Sequence, residues 1–431
     1  MKIGLEVHVA LPTHSKLFCS CSTADVDEPN TNICPICMGF PGSKPSLNEE
    51  AVRIAKTIAN ALNCKINQSI SFVRKIYFYP DLPKSFQITQ LQGSIGLEGE
   101  VTLSSSKVHI RRIQIEEDPA RVIREAKYTL LDFNRTGIPL VEIVTDPDIV
   151  SEDQLREFLF VLRSLLYYIG VDIDKEIKAD LNISLAENRV EIKNVTGIKN
   201  LVDAARYEIK RQSEIIKSGG VPEKETRSYD EKPQSTISSR EKESDEEYGY
   251  IYEPDLSEFS VSGLTVPEHI VDARKVSREL AEKHNLDYKT LLELIAFDTE
   301  AMSLLRYGLE KSGLPADVVV NALEAKKRFG KAVNEKSLPL LADYIQKGIQ
   351  IDRDVIMRIE KGMPPAEVEV SNEDTDKYIK EELSANPEFI EKYKKNPKVI
   401  DFMVNTVSRK HGIPQKKVAD RIKHILAEYL K

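Results

Sequence analysis

The alternation of hydrophobic and polar positions divides the chain into a strand-rich first part and a helical second part. Residues 4–10 alternate with a period of two, so Glu6 and His8 share one face of a predicted strand and the apolar side chains share the other. A second alternating segment, 107–117, changes phase at two consecutive arginines, which predicts a β-bulge. Beyond Pro267 the strand patterns stop, and short amphipathic helices are expected.

Capping residues predict where two helices begin and end. One helix is expected over 48–62, beginning at the capping residue Asn48. Another is expected to begin at Ser151, where Gln154 completes a capping box, and to end at Gly170.

Segments 179–185 and 189–195 are typical of a β-hairpin with a short polar turn. Asp180 and Asn182 lie on one face of its first strand, and the apolar residues lie on the other. A polar face of this kind suits the floor of a substrate site. A hydrated sheet face has the same pattern.

Glu6 and His8 are candidate metal ligands. Two residues apart on a strand, they would be separated by about 6–7 Å, close enough to share one cation. The solvated face of an edge strand explains the same spacing, so the motif alone leaves both interpretations open.

Carboxylates occur at two further places where they need a partner. Glu142 is embedded in the apolar segment 140–144, and an unpaired buried carboxylate is strongly destabilising. A metal ion or Arg135 would be its simplest partner. The three consecutive acids 116–118 at a strand end indicate a nearby cation or basic substrate, with a solvated turn as the alternative.

Four of the five cysteines lie within 19 residues, as a C-x-C pair and a C-x-x-C pair: Cys19, Cys21, Cys34 and Cys37. Two short knuckles of soft ligands favour tetrahedral zinc, and reduced structural thiols are the alternative.

The segment 74–90 contains prolines and interleaves aromatic with basic residues. Such a loop could stack a base or ribose while Lys75 and Lys84 contact phosphates. A structural loop with buried tyrosines is the alternative.

Composition limits the class of protein. The 431 residues suffice for two or three domains, and 41% are hydrophobic, which is enough for packed cores. No run of about 18 apolar residues predicts a membrane span. The first residues lack a signal-peptide pattern, so a cytoplasmic location is expected.

Charge is unevenly distributed along the chain. The net charge of −8 argues against a protein that coats nucleic acid, but residues 392–431 carry 11 Lys or Arg and only 3 Asp or Glu. This excess favours an RNA-contacting terminal module, with a solvated helix face as the alternative.

Nine motifs occur in order and together indicate a family. They are GLEVHVALPTHSKLFCSCST, EPNTNICPICMGFPG, RKIYFYPDLPKSFQITQ, IEEDPAR, LDFNRTGIPLVEIVTDPD, ADLNISL, VEIKN, ETRSYDE and YEPDL. With these motifs the chain closely resembles the GatB family, the B subunits of tRNA-dependent Asp/Glu amidotransferases. The resemblance covers essentially all of the first 260 residues and, less specifically, the helical remainder.

The resemblance implies an ATP-dependent ligase subunit. Family members use ATP to phosphorylate the side-chain carboxylate of Glu-tRNA(Gln) or Asp-tRNA(Asn). Ammonia from a glutamine-hydrolysing amidase A subunit then displaces phosphate, and a small C subunit ties the complex together. ATP, Mg²⁺, structural Zn²⁺ and misacylated tRNA are therefore the implied ligands. A non-catalytic, zinc-bearing module for tRNA binding or assembly is the alternative.

The resemblance also implies an α+β fold in three domains. A catalytic cradle of antiparallel sheet with helices, carrying the zinc loop, is expected over 1–262. An all-helical domain over 263–366 and a small tRNA-binding tail similar to the YqeY proteins over 367–431 would follow.

Roles for individual residues follow from the matching motifs. His8, Glu117 and Glu142 match the magnesium ligands of the family, and Glu6 and Glu116 are further candidates. The resemblance gives Glu117 a catalytic role as well.

The same motifs suggest residues for ammonia and the substrates. Asp180 matches a carboxylate near the ammonia exit, where it could take a proton from ammonium, and Lys75 matches a lysine in the same region. The expected contacts to nucleotide and acceptor end are Tyr77, Tyr79, Lys84 and Arg135.

Two departures from the family pattern affect the site. Pro119 stands where the family has alanine and fixes a backbone torsion. Gly249 stands where many relatives have arginine, so any phosphate contact of that arginine is lost.

Overall fold

The chain forms two compact units, Met1–Ala273 and Arg274–Lys431, in the computed structural model. The structure describes residues 1–171, 177–241, 249–267, 270–298, 300–329, 334–349, 351–360, 362–363, 372–386, 388–395, 399–411, 413 and 415–429. The two units are described separately.

In the described part of the first unit there are sixteen strands and three long helices. The strands are β1 (Lys2–Ala10), β2 (Lys65–Ile66), β3 (Ser69–Ile70), β4 (Val73–Ile76), β5 (Phe86–Thr89), β6 (Gly96–Thr102), β7 (Lys107–Glu117), β8 (Arg121–Arg124), β9 (Thr129–Asp132), β10 (Pro139–Thr145), β11 (Lys178–Ser184), β12 (Val190–Thr196), β13 (Glu225–Asp230), β14 (Ser235–Glu241), β15 (Gly249–Tyr252) and β16 (Phe259–Ser260). The helices are α1 (Glu49–Ala61), α2 (Glu152–Tyr168) and α3 (Ile198–Lys217).

Nine strands form one sheet in the order β14-β13-β12-β11-β1-β10-β7-β6-β2. Its adjacent strands are antiparallel except for the parallel pair β12–β13. Smaller sheets have the orders β15-β4-β5, β16-β3 and β8-β9. The predicted α+β class with an antiparallel sheet is confirmed.

The alternation along β1 separates an apolar from a polar sheet face. Leu5, Val7 and Val9 are buried, whereas Glu6 and His8 are partly exposed. Helix α1 packs on β6 and β7, α3 packs on β11 and β12, and α2 contacts both helices. Burial of the apolar side chains stabilises this layer and leaves polar side chains on the other face.

The predicted helix ends are confirmed. The Asn48 side chain accepts hydrogen bonds from the first backbone N–H groups of α1, at 3.0 Å from Glu50 N. The backbone N–H of Gln154 donates to Ser151 Oγ at 3.1 Å at the start of α2. Gly170, with φ of +93°, follows the end of α2 and adopts a conformation that L side chains rarely adopt.

The predicted bulge and hairpin are also confirmed. Val144 of β10 pairs with Arg112 and Thr145 pairs with Ile110, so Arg111 is the extra residue on β7. Strands β11 and β12 pair antiparallel, as the polar hairpin pattern predicted.

The second unit is helical. Its helices are α4 (Ala273–His284), α5 (Tyr288–Phe297), α6 (Ala301–Glu310), α7 (Ala316–Phe329), α8 (Leu338–Gln346), α9 (Arg353–Glu360), α10 (Asn372–Ala385), α11 (Glu388–Lys395), α12 (Ile400–His411) and α13 (Gln415–Tyr429). None of the helices in the described ranges is long and apolar enough to cross a membrane.

Two hydrophobic clusters organise these helices. One contains Leu338, Tyr344 and Ile356, and the other contains Ile379 and Ile422 with their apolar neighbours. The helical C-terminal region is therefore confirmed. The boundaries at 262 and 366 stay predictions, and the second of them lies outside the described residues.

Candidate active site and metal centre

The polar face of the nine-stranded sheet forms the floor of a cavity of about 1160 Å³. This exceeds the range of about 300–1,000 Å³ typical of small-molecule sites, which leaves room for more than one substrate. The charged residues that line it are His8, Lys75, Asp81, Glu116, Asp118, Arg124, Arg135, Glu142, Arg163, Lys178, Lys193 and Arg227.

An imidazole and two carboxylates converge on this floor. His8 of β1 pairs in register with Glu142 of β10, and directly paired residues share a face. His8 Nε2 lies 3.6 Å from Glu142 Oε1 and 3.6 Å from Glu116 Oε1. This donor set suits a divalent cation, which would replace the repulsion between the two acids by attraction.

The surroundings of Glu142 leave its carboxylate incompletely paired. Within the described residues Glu142 Oε2 has no hydrogen-bond partner, and Arg112 Nη2 is 4.0 Å away. Burial and the neighbouring Glu116 raise the pKa of the Glu142 carboxyl to about 7, while His8 opposes this shift. Because Glu142 Oε2 is a buried acceptor without a partner among the described residues, a bound cation would satisfy it.

Of the two partners considered for Glu142, a metal ion or Arg135, the structure pairs Arg135 with Asp118 instead. Arg135 Nη2 donates to Asp118 Oδ1 at 2.7 Å, and its Nε donates to the other oxygen of the same carboxylate. This two-fold contact raises the pKa of Arg135. The Arg135 guanidinium is therefore bound to Asp118, which leaves a metal ion as the partner considered for Glu142.

The structure does not bring Glu117 together with His8 and Glu142. Successive side chains of β7 point to opposite faces, so Glu116 reaches the cavity floor and Glu117 does not. Glu117 instead accepts hydrogen bonds from Lys84 Nζ, at 2.6 Å from Oε2, and from Ile88 N at 2.8 Å. Lys84, which the sequence predicted to contact phosphate, instead forms this buried ion pair with Glu117.

A second acidic group lies beside the first. One oxygen each from Glu6, Asp180 and Glu191 lie within 4.8 Å of one another. Asn182 Nδ2 donates to Glu6 Oε1 at 3.0 Å, and Asn194 N donates to Asp180 Oδ1 at 2.7 Å. These contacts fix two of the carboxylates, and the group could hold a metal ion.

The predicted binding loop lies at the cavity rim. Lys75, Tyr77 and Tyr79 line the cavity, with the Lys75 ammonium 5.6 Å from the Tyr77 ring centroid. The two tyrosine rings meet edge to face at 5.8 Å. Phe78 between them is 83% exposed, which leaves an aromatic surface at the rim open to a ligand.

The four predicted cysteines form one cluster. Their sulfur atoms all lie within 4.8 Å of one another. A hydrogen bond from Cys19, together with the Cys34 backbone N–H and Lys16, lowers the pKa of Cys37 to about 5 despite its burial. The lowered pKa favours the thiolate of Cys37, the form that binds metals. Four sulfur donors of this kind fit a tetrahedral metal ion.

A fully buried lysine links the cysteine cluster to the cavity wall. Lys16 Nζ donates to the carbonyl of Asn32 at 2.7 Å, lies 3.4 Å from the carbonyl oxygen of Phe133 and 3.8 Å from Cys37 Sγ. Phe133 is two residues before Arg135 in the chain. The cysteine cluster is thereby tied to the loop that holds the Arg135–Asp118 pair.

Comparison with known proteins identifies the family. Residues 1–266 match the model of the GatB/GatE catalytic domain. The chain belongs to the GatB/GatE family.

Two relatives similar to this GatB-family chain extend over nearly the whole sequence, and a third extends over about two thirds of it. The B subunit of the aspartyl/glutamyl-tRNA(Asn/Gln) amidotransferase from Sulfolobus acidocaldarius is 36% identical over 458 residues, covering 95% of this chain and 96% of that protein. The protein of the same name from Sulfurisphaera tokodaii is 37% identical, with 96% of each chain covered. That of Methanoregula boonei is 44% identical over 63% of this chain and 60% of its own length.

Two functional candidates of this GatB-family chain were not recognised in the sequence. Glu191 of the polar hairpin face was predicted as part of a possible substrate floor but not as a metal ligand, and in the structure it joins the second acidic group. Lys178 lines the cavity and Lys16 contacts the cysteine cluster. The sequence pattern around each of these two lysines gave no indication of its role.

The Glu142→Gln variant tests the electrostatics of the floor. Because the folded-state pKa of Glu142 is raised from 4.5 to about 7, the wild type loses stability as pH rises through this window. A neutral glutamine should remove this loss and stabilise the protein at pH 8 by on the order of 2 kcal/mol. The measurement is the melting temperature from pH 4.5 to pH 8 in Mg²⁺-free buffer.

Glu214→Gln, at an exposed position of α3, is the matched control and should follow the wild type. If the melting temperatures of Glu142→Gln and the wild type changed equally with pH, the raised pKa of the Glu142 carboxyl would be contradicted.

The Cys34→Ser variant tests whether the cysteine cluster binds zinc. Removing one of four sulfur donors should reduce bound zinc from one equivalent per chain to nearly none, measured by elemental analysis of the purified protein. Cys64→Ser changes a buried cysteine outside the cluster and should retain the metal. Equal zinc contents in the two variants would show that the cluster is not the metal site.

Proposed function

We propose that this chain is the ATP-dependent subunit of a tRNA-dependent amidotransferase. It phosphorylates the side-chain carboxylate of Glu-tRNA(Gln), Asp-tRNA(Asn) or both, and converts the product to the amide with ammonia from a partner amidase. The observation that carries this proposal is the convergence of His8, Glu116 and Glu142 on the floor of a large polar cavity.

The chemistry requires two steps because a carboxylate is a poor electrophile. First, a carboxylate oxygen attacks the terminal phosphorus of ATP, and the bond from that phosphorus to the bridging oxygen breaks to release ADP. Next, the ammonia nitrogen attacks the acyl carbon, and the C–O bond to phosphate breaks with its electron pair on the phosphate. The nitrogen loses one proton, which the departing phosphate takes up, and it ends as a neutral amide.

Divalent cations would neutralise phosphate charge in the first step. His8, Glu116 and Glu142 would hold one ion, and Glu6 with Asp180 and Glu191 could hold another. We favour Glu116 over Glu117 as the ligand, because Glu117 would first have to leave Lys84.

Asp180 would accept the proton that ammonium loses to become ammonia, and the ammonia nitrogen would then attack. Asp180 is buried, and Lys193, which lines the cavity, keeps a positive charge beside it, with Nζ 3.9 Å from Asp180 Oδ2. Lys75 would act in the same region. Tyr77 and Tyr79 would contact the nucleotide or the acceptor end through their rings.

The rest of the chain would provide assembly and tRNA binding. An amidase A subunit and a small C subunit are the proposed partners, and Zn²⁺ in the cysteine cluster would be structural. The segments 1–262, 263–366 and 367–431 are proposed as the catalytic cradle, the helical domain and the tRNA-binding tail.

Glu116→Gln and Glu142→Gln test the function in the complex reconstituted with the A and C subunits. With glutamine, ATP, Mg²⁺ and each misacylated tRNA, both variants should lose about 100-fold in ATP turnover and in amide formation, since a cation ligand is removed. Release of inorganic phosphate and the identity of the tRNA-bound amino acid are measured. Glu100→Gln, on the edge region of the sheet at β6, is the control and should retain activity.

Wild-type complex that binds tRNA but turns over no ATP would favour the non-catalytic zinc-bearing module. Full activity of Glu142→Gln would remove the assignment of the cation site.

A further inference from the structure

Lys178 lies on the polar face of the sheet, next to His8, and lines the cavity. It pairs in register with His8 of β1, so its side chain lies on the same face of the sheet as the imidazole. Asp180 follows two positions later on β11, about 6–7 Å along the strand and on the same face. Lys178 lines the cavity with both His8 and Lys193.

Neighbouring cations of the cavity differ from Lys178 in having anionic partners. Arg135 binds both oxygens of Asp118, and Lys193 lies within 4.0 Å of Asp180 and Glu191. For Lys178 Nζ no hydrogen bond or ion pair to any residue of the described ranges is present. A partly buried ammonium without a fixed partner is costly, and a bound anion would offset that cost.

We propose that Lys178 binds the phosphoryl group transferred from ATP and holds it until it leaves as inorganic phosphate. The proposal rests on the proposed function and names a further residue of its site. The ammonium donates hydrogen bonds to non-bridging phosphate oxygens, which stabilises the electron pair that phosphate receives when its bond to the acyl carbon breaks. Lys178 transfers no proton in this role.

The position of Lys178 favours the transferred phosphate over other anions. His8, in register with Lys178, belongs to the proposed cation site, and Asp180 is the proposed acceptor of the ammonium proton. An anion held at Lys178 is therefore next to His8 of the proposed cation site and two strand positions from Asp180. A phosphate of the tRNA backbone is the competing source, and it gives different results in the test below.

The first measurement is equilibrium dialysis of inorganic phosphate against the full chain in the presence of Mg²⁺. Lys178→Met should weaken phosphate binding about tenfold or more, the loss expected for one charge-assisted hydrogen bond. Lys178→Arg should stay within about threefold of the wild type, because it keeps the charge. Lys199→Met, at an exposed position of α3, is the control.

The second measurement is steady-state kinetics of the reconstituted complex. Lys178→Met should lower kcat for amide formation about tenfold or more, with the KM for tRNA unchanged and inhibition by added phosphate weakened by a similar factor. Melting curves of the variants establish that they fold.

Phosphate binding by Lys178→Met equal to that of the wild type would overturn the proposal. So would absence of phosphate binding by the wild type, or a variant that binds tRNA more weakly while its inhibition by phosphate is unchanged. If the wild-type complex forms no amide but Lys178→Met still binds phosphate more weakly than the wild type, the phosphate site stands and the proposed function fails.

Discussion

The register of β1 against β10 is the constraint on which the candidate site depends, because it sets His8 opposite Glu142. Side chains of paired residues in an antiparallel sheet share a face, so two residues far apart in the chain meet without any loop to position them. Glu116 on β7 completes the group from the next strand. A one-residue slip of any of these strands would turn its charged side chain into the apolar core, so the hydrophobic face enforces the geometry of the polar one.

Much of this arrangement could be predicted from the sequence, because a period of two fixes which side chains share a face. The alternation of residues 4–10 identified the side of β1 that carries Glu6 and His8, and the apolar run around Glu142 identified a buried carboxylate. The choice between Glu116 and Glu117 could not be made this way. It depends on how β7 aligns with β10, which is a long-range pairing that local pattern does not encode.

The partners of charged side chains were the least predictable feature. Arg135 binds Asp118 rather than Glu142, and Lys84 binds Glu117 rather than remaining free for phosphate. Both outcomes arise because segments distant in sequence pack over the end of β7, and a buried ion takes the nearest opposite charge. The family resemblance supplied candidate residues, whereas only the folded geometry separates those that line the cavity from those that support its wall.

The most direct test of the central claim is anomalous diffraction from crystals of the protein soaked in Mn²⁺, which substitutes for Mg²⁺ at oxygen and imidazole ligands. The account predicts a manganese peak on the cavity floor at about 2.0–2.5 Å from His8 Nε2 and from carboxylate oxygens of Glu116 and Glu142. A peak bound by Glu117 with Lys84 displaced, or a cavity floor without manganese, would contradict it.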